Sequence, residues 1–116
     1  MRLVSLLAVA AALAAPALAA APPVGPLPKG PSSTIRTQKG ELVSFALPVR
    51  SNGRVWRIAR QFDSRVVRQV SEADVGNSVV LVFKAVGKGT TTIAFGLTRG
   101  ETARAYESRR FVVTVR

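Results

Sequence analysis

Cysteine and histidine are both absent from the sequence, which removes most of the side-chain chemistry a small protein can perform. Without a thiolate or an imidazole base, the usual nucleophile–base pairs cannot form. A serine activated by lysine would remain, but no Ser-x-x-Lys spacing occurs. Metal binding through nitrogen or sulfur is excluded, and the acidic residues show no calcium-loop spacing. The six acids are scattered. Of these, Asp63, Glu72 and Asp74 are spaced so that they could approach one another, with Glu72 and Asp74 reading as turn residues beside Gly76. Nothing marks them as a hydrolytic carboxylate pair. Gly87-Lys88-Gly89 is a turn between strands rather than a phosphate-cradling loop, because no Lys-Ser/Thr pair follows at the required spacing. The expectation is a binding or inhibitory module, not an enzyme, with no cofactor and no metal.

Charge narrows the partner. The chain carries 17 lysines and arginines against 6 acids, a net +11. A balance this basic favours anionic partners such as nucleic acid, an anionic surface or polymer of the cell envelope, or an acidic protein.

The polar residues are unevenly distributed. "MRLVSLLAVAAALAAPALA" has a basic start, a short apolar run and an Ala17-Leu18-Ala19 end, the marks of a cleavable export signal. Residues 1–19 are read as that leader, so the mature chain begins at Ala20 with a net charge of +10 once Arg2 is lost. No transmembrane segment is expected in the mature chain, since Pro16 and many alanines interrupt a run that would need roughly 20 strongly apolar residues to span a bilayer. An exported chain without disulfides suggests the periplasm of a bacterium or its medium. Residues 20–33 are rich in Pro, Ala and Gly and read as an extended linker or disordered arm. Residues 34–116 form one domain, expected to be a monomer.

Within that domain the apolar residues alternate. Val43, Phe45 and Leu47 share one face of a strand that Pro48 ends. "SVVLVFKA", Ser78 to Ala85, is a dense β-branched run of the kind found in central strands covered on both faces. Thr91, Ile93, Phe95 and Leu97 share another face, and Phe111, Val113 and Val115 a third. Short strands with turn signals in about 100 residues predict an all-β fold, an immunoglobulin-like antiparallel β-sandwich without disulfides.

Arg54 to Val70 supports two readings. At helical spacing Val55, Ile58, Ala59, Phe62 and Val66 share a face opposite Arg54, Arg57, Arg60, Arg65 and Arg68, a basic amphipathic helix suited to membranes. At period two, Trp56 and Ile58 point inward on one strand, a turn follows at Asp63-Ser64, and Val66 to Val70 form a second. On the strand reading, Arg57 and Arg60 lie on a solvated face or rim, and Asn52-Gly53 makes a tight turn with positive φ.

The order of these strands resembles a known family. "GELVSFALP" (Gly40 to Pro48), then "GRVW" (Gly53 to Trp56), "LVFKAVGKGTTTIAF" (Leu81 to Phe95) and "ESRRFVVTVR" (Glu107 to Arg116) are similar to the framework of chagasin-type inhibitors of papain-like cysteine peptidases. The resemblance covers roughly Arg36 to Arg116. It implies that three loops at one end of the sandwich occlude a peptidase cleft reversibly, with the scaffold holding them in shape. Carried onto this chain, the loops are Ser51, Asn52, Gly53 and Arg54; Asp74, Val75, Gly76, Asn77 and Ser78; and Thr98, Arg99, Gly100 and Glu101. The loop motifs differ from the family's. Gly53 and Trp56 match, but the Pro-Thr-Thr segment is missing and Arg54 stands where the family has an aromatic. Only Gly76 is kept in the second loop, and "GLTR" (Gly96 to Arg99) lacks the family's Pro and Trp. Arg50, Arg54 and Arg99 would then form a basic tip suited to carboxylates or phosphates.

Overall fold

The computed structural model describes residues 22–116; the expected leader, residues 1–19, lies outside them. Seven strands follow in order: β1 (Ser32–Thr37), β2 (Leu42–Pro48), β3 (Arg54–Ile58), β4 (Val67–Val75), β5 (Ser78–Ala85), β6 (Gly89–Arg99) and β7 (Ala105–Val115). They form two sheets, β1-β7-β6-β3 and β2-β5-β4. The chain is thus an all-β sandwich, and with no cysteine in the sequence no disulfide joins its sheets.

Alternation decides which face is buried. Phe45 and Leu47 from β2, Leu81 and Phe83 from β5, Ile93 and Phe95 from β6, and Val113 and Val115 from β7 meet between the sheets. A one-residue slip would turn each set to solvent, so this pattern also sets the register, with Phe45 opposite Leu81 and Ile93 opposite Phe111. The aromatic rings bridge the two layers. Phe111 stacks on Phe45 at 4.2 Å between centroids, and Phe83 sits 5.6 Å from both Phe45 and Phe62. Such pairs add about 0.5–1.5 kcal/mol each beyond the burial of their area.

Sheet pairing is antiparallel throughout except that β1 runs parallel to β7. Strand direction accounts for the exception. Consecutive strands reverse direction, so β1 and β7, first and seventh in the chain, point the same way and can pair only in parallel. β5 is the central strand of its sheet as expected, but Val80 and Val82 are only half-buried and Lys84 is exposed, so its outer face is incompletely covered.

Within Arg54 to Val70 the chain forms β3 and the start of β4, joined by a connection without strand pairing, which overturns the helical reading. The backbone of the two strands pairs with β6 and β5 rather than along a helix, and no helix occurs among the described residues. None of them therefore forms a helix long and apolar enough to cross a membrane. The turn after Asp63 is present, with the Asp63 carbonyl accepting from the N–H groups of Val66 and Val67. Two expectations fail here. Ile58 is not a core residue: it ends the edge strand β3 and stays 36% exposed. Glu72 and Asp74 are not turn residues: β4 continues to Val75.

Residues 22–31 have no regular pairing, yet they are not a free arm. They lie along the outer face of the β1-β7-β6-β3 sheet, where Val24 is buried and Ser108 Oγ donates to the Pro28 carbonyl at 2.6 Å. β1 begins at Ser32, ahead of the expected domain start at Thr34.

Candidate functional site: a three-loop tip

Consecutive strands run in opposite directions, so the connections alternate between the two ends of the sandwich. The β2–β3, β4–β5 and β6–β7 connections therefore share one end. Backbone hydrogen bonds join them there. Val49 N–H donates to the Asn77 carbonyl at 2.9 Å, linking the first loop to the second. Gly100 N–H donates to the Gly53 carbonyl at 3.0 Å, linking the third to the first. Asp63 sits in the β3–β4 connection at the opposite end, so it does not approach Glu72 and Asp74. It is tied instead to Arg65 at 3.0 Å, whose side-chain hydrogen bonds hold the Asp63 carboxyl below its ordinary range.

Most of the expected residues are brought together. Arg50, Ser51, Asn52 and Gly53 are exposed in the first loop. Asn52 and Gly53 have φ of 64° and 71°, the pair of left-handed residues that a type I′ turn needs at its centre, and Arg54 N–H donates to the Ser51 carbonyl at 3.4 Å across it. Gly76 and Asn77 are the turn between β4 and β5, and Asp74, Val75 and Ser78 are the strand residues that flank it. Gly76 takes positive φ at the first turn position, as in a type II′ turn. Gly100 and Glu101 are exposed in the third loop, and Arg99 ends β6 beside them.

Thr98 is the exception. It lies inside β6, is wholly buried, and donates its hydroxyl to the Gly100 carbonyl at 2.7 Å. It shapes the loop and cannot touch a partner. β6 runs on to Arg99, and β7 bulges opposite its end, where the register shifts between Leu97 and Thr98.

The expected trio Arg50, Arg54 and Arg99 does not stand free at the tip. Arg50 makes a two-pronged pair with Glu107, with Nε and one terminal nitrogen each 2.9 Å from a carboxylate oxygen. Those hydrogen bonds hold the Glu107 carboxyl below its ordinary range, with Arg109 and Arg54 adding to the effect. Arg54 is the first residue of β3, not a loop residue. Its guanidinium lies 3.9 Å above the Tyr106 ring, and its Nε is buried without a hydrogen-bond partner. Arg104 approaches the same ring at 4.8 Å. Arg57 and Arg60 are likewise not idle on a solvated rim: both donate to backbone carbonyls.

Two residues of the tip were not anticipated: Val49 and Val55 are 50% and 46% exposed, beside the expected Val75 at 58%. Val49 and Val55, with Trp56 and Val79, line a cleft of about 470 Å³ between the edge strands β3 and β4, with Arg50 and Arg54 along one side and Glu72 and Asp74 along the other. Trp56 packs against the core and donates its indole N–H to the Pro48 carbonyl at 2.8 Å, which fixes the entry to the first loop. An apolar centre with charged surroundings is the usual anatomy of a protein-binding patch. Val55 was legible in principle, as the outward neighbour of an inward Trp56.

A sandwich carrying three cross-bonded loops at one end defines the class. Among solved structures, the chain is similar to a cysteine protease inhibitor, EhICP2, from Entamoeba histolytica, with a TM-score of 0.56 and 19% sequence identity. The match covers 77% of this chain and 99% of the inhibitor. At that identity the likeness is one of fold, and it agrees with the framework resemblance read from the sequence. No family model and no curated protein sequence matches the chain.

Proposed function

We propose that the protein is an exported, reversible inhibitor of papain-like cysteine peptidases that blocks the cleft with its three-loop tip. The observation that carries this reading is the pair of backbone bonds joining the three loops, Val49 to Asn77 and Gly100 to Gly53. Loops already locked together lose little freedom on docking. The exposed valines give the tip an apolar centre, and the solved structure that shares the fold is that of a cysteine protease inhibitor. The test is a titration of papain-like peptidases with the chain begun at Ala20. Inhibition that is competitive and reversible is expected, and its absence up to roughly tens of micromolar, a range in which even a weak specific interface registers, would sink the reading. Export is tested by sequencing the N-terminus of protein recovered from the periplasm or medium, which should begin at Ala20.

A second reading, an anionic envelope component as partner, is favoured by a separate observation. Among the described residues only Arg50 and Arg65 form ion pairs with carboxylates, which leaves Arg54, Arg99 and Arg104 near the tip without one. Binding of this kind weakens steeply with salt through counterion release. Binding to heparin or lipopolysaccharide that ignores salt would remove it.

A further inference from the structure

Arg57, on β3, and Arg60, two residues beyond the end of that strand, both reach the N-terminal segment. Arg57 donates one terminal nitrogen to the Thr102 carbonyl at 2.8 Å and the other to the Pro22 carbonyl. Arg60 donates to the carbonyls of Val24 at 3.1 Å and Gly25 at 3.0 Å. Gly25 N–H in turn donates to the Ala103 carbonyl at 2.7 Å. Thr102 and Ala103 belong to the third loop of the tip. Residues 22–25 are therefore stapled both to an edge strand and to that loop.

Glycines on both sides leave room for this segment. A Cβ on Gly96 would stand 3.0 Å from a Val24 methyl and 3.1 Å from a Leu27 methyl, and one on Gly25 would stand 3.3 Å from the Ala103 carbonyl oxygen. A Cβ on Gly30 would fall 2.0 Å from the Ser108 carbonyl oxygen. The composition suits a segment held without strand pairing. Its prolines, Pro22, Pro23, Pro26, Pro28 and Pro31, restrict φ before docking and carry no N–H to satisfy.

We propose that Pro22–Leu27, gripped by Arg57 and Arg60, is a clamp that holds the β6–β7 loop in its partner-facing shape, so that Arg57 is a positioning residue for the tip. This rests on the reading of the tip as the peptidase-facing surface. Arg57 touches no partner itself. It acts by joining two backbone carbonyls 80 residues apart in sequence, Pro22 and Thr102. A stretch that looks like a spacer after a leader becomes part of the binding apparatus.

The experiment compares the chain begun at Ala20 with its Arg57→Met, Arg57→Lys and Gly96→Val variants. Two quantities are read: amide hydrogen exchange at Gly100 and Thr102, and the inhibition constant for a papain-like peptidase. Gly100 and Thr102 are informative because their N–H groups are bonded to Gly53 and Arg99. In Arg57→Met, exchange at these two amides should rise about tenfold, the effect of losing one hydrogen bond of ordinary strength, with inhibition weakened by a similar factor. Core amides of β5 and β6 should not change. Arg57→Lys keeps the charge but not the two-pronged reach, and should fall between. Gly96→Val, which leaves Arg57 intact and displaces Val24, should loosen the same amides; if it fails to fold, Arg57→Met still decides. Unchanged exchange in Arg57→Met overturns the clamp. Faster exchange with unchanged inhibition overturns its role at the tip. If the parent chain inhibits no peptidase, the functional reading fails by itself, and the exchange result alone decides the clamp.

Discussion

The Arg54 guanidinium lies 3.9 Å above the Tyr106 ring while its Nε is buried without a partner. These two facts oppose each other energetically. A cation over an aromatic ring stabilises by about 0.5–2 kcal/mol, and a buried unsatisfied donor costs about 1–3 kcal/mol. Replacing Arg54 with Leu removes both, so Arg54→Leu should shift stability by less than about 1 kcal/mol. Tyr106→Leu removes only the favourable part and should be the more destabilising of the two. Chemical denaturation of both variants checks the order, and a larger loss in Arg54→Leu would contradict it.

Phe83 is fully buried and sits 5.6 Å from the ring centroids of both Phe45 and Phe62. Truncation there leaves a cavity that the opposing sheet cannot fill. Phe83→Ala should cost about 3–5 kcal/mol, measured by urea unfolding. Against the total of about 5–15 kcal/mol typical of a domain, such a loss removes about a fifth of the stability or more.

The core was legible because β2, β6 and β7 obey a single rule. Phe45 and Leu47, Ile93 and Phe95, and Val113 and Val115 are all two apart and all buried, so alternation alone names the inward face. That rule weakens at β3 and β4, the two edge strands that flank the cleft, while the edge strand β2 keeps it because its inner face is covered by the core. β3 has partners on one side only, and β4 opens its inner face to the cleft, so Ile58 can be exposed and Glu72 and Asp74 can sit in a strand. Both departures put residues there that local spacing reads as helix or turn. The tip was placed by likeness to a family framework, and strand alternation supports that placement. What links its parts was not legible. Arg50 meets Glu107 across 57 residues of sequence, and Arg57 meets Thr102 across 45. Nothing local to either residue signals such a pairing.

Acid should weaken the fold through two carboxylates. Glu107 is held below its ordinary 4.5 chiefly by hydrogen bonds from Arg50, and Asp63 below its ordinary 3.8 chiefly by those from Arg65. A carboxyl whose folded value is depressed contributes stability that is fully present above the unfolded value and is lost as pH falls through the folded one. The decline should therefore begin near pH 4.5 and continue below pH 3.8. Glu107→Gln and Asp63→Asn should each flatten the acid limb of a plot of stability against pH. An unchanged limb in the double variant would show that neither pair persists in solution.

Gly53 lies in the left-handed region at φ 71°, and a Cβ there would meet nothing within 4 Å. The cost of Gly53→Ala is thus conformational alone, about 1–2 kcal/mol. Its carbonyl also accepts from Gly100, so a shifted turn would loosen the third loop with the first. Gly53→Ala should lower the melting temperature modestly and speed amide exchange at Gly100, whereas Ser51→Ala, beside it in the same loop, should do neither.

Val49 and Val55 separate binding from folding. Both are about half exposed and both line the cleft between β3 and β4. An exposed valine adds little to the stability of the isolated chain, and surface changes away from special features usually stay within about 0.5 kcal/mol. At the centre of an interface the same side chain is desolvated, and an acid in its place would be buried unpaired against the partner. The double variant Val49→Asp, Val55→Asp should therefore unfold at nearly the parental denaturant concentration. Its inhibition constant should rise by roughly a hundredfold or more, as expected when about 3 kcal/mol of interface energy is lost. Equal inhibition by parent and variant would place the contact surface elsewhere on the molecule. Equal losses of stability and inhibition would mean that the two valines hold the tip together rather than meet the partner.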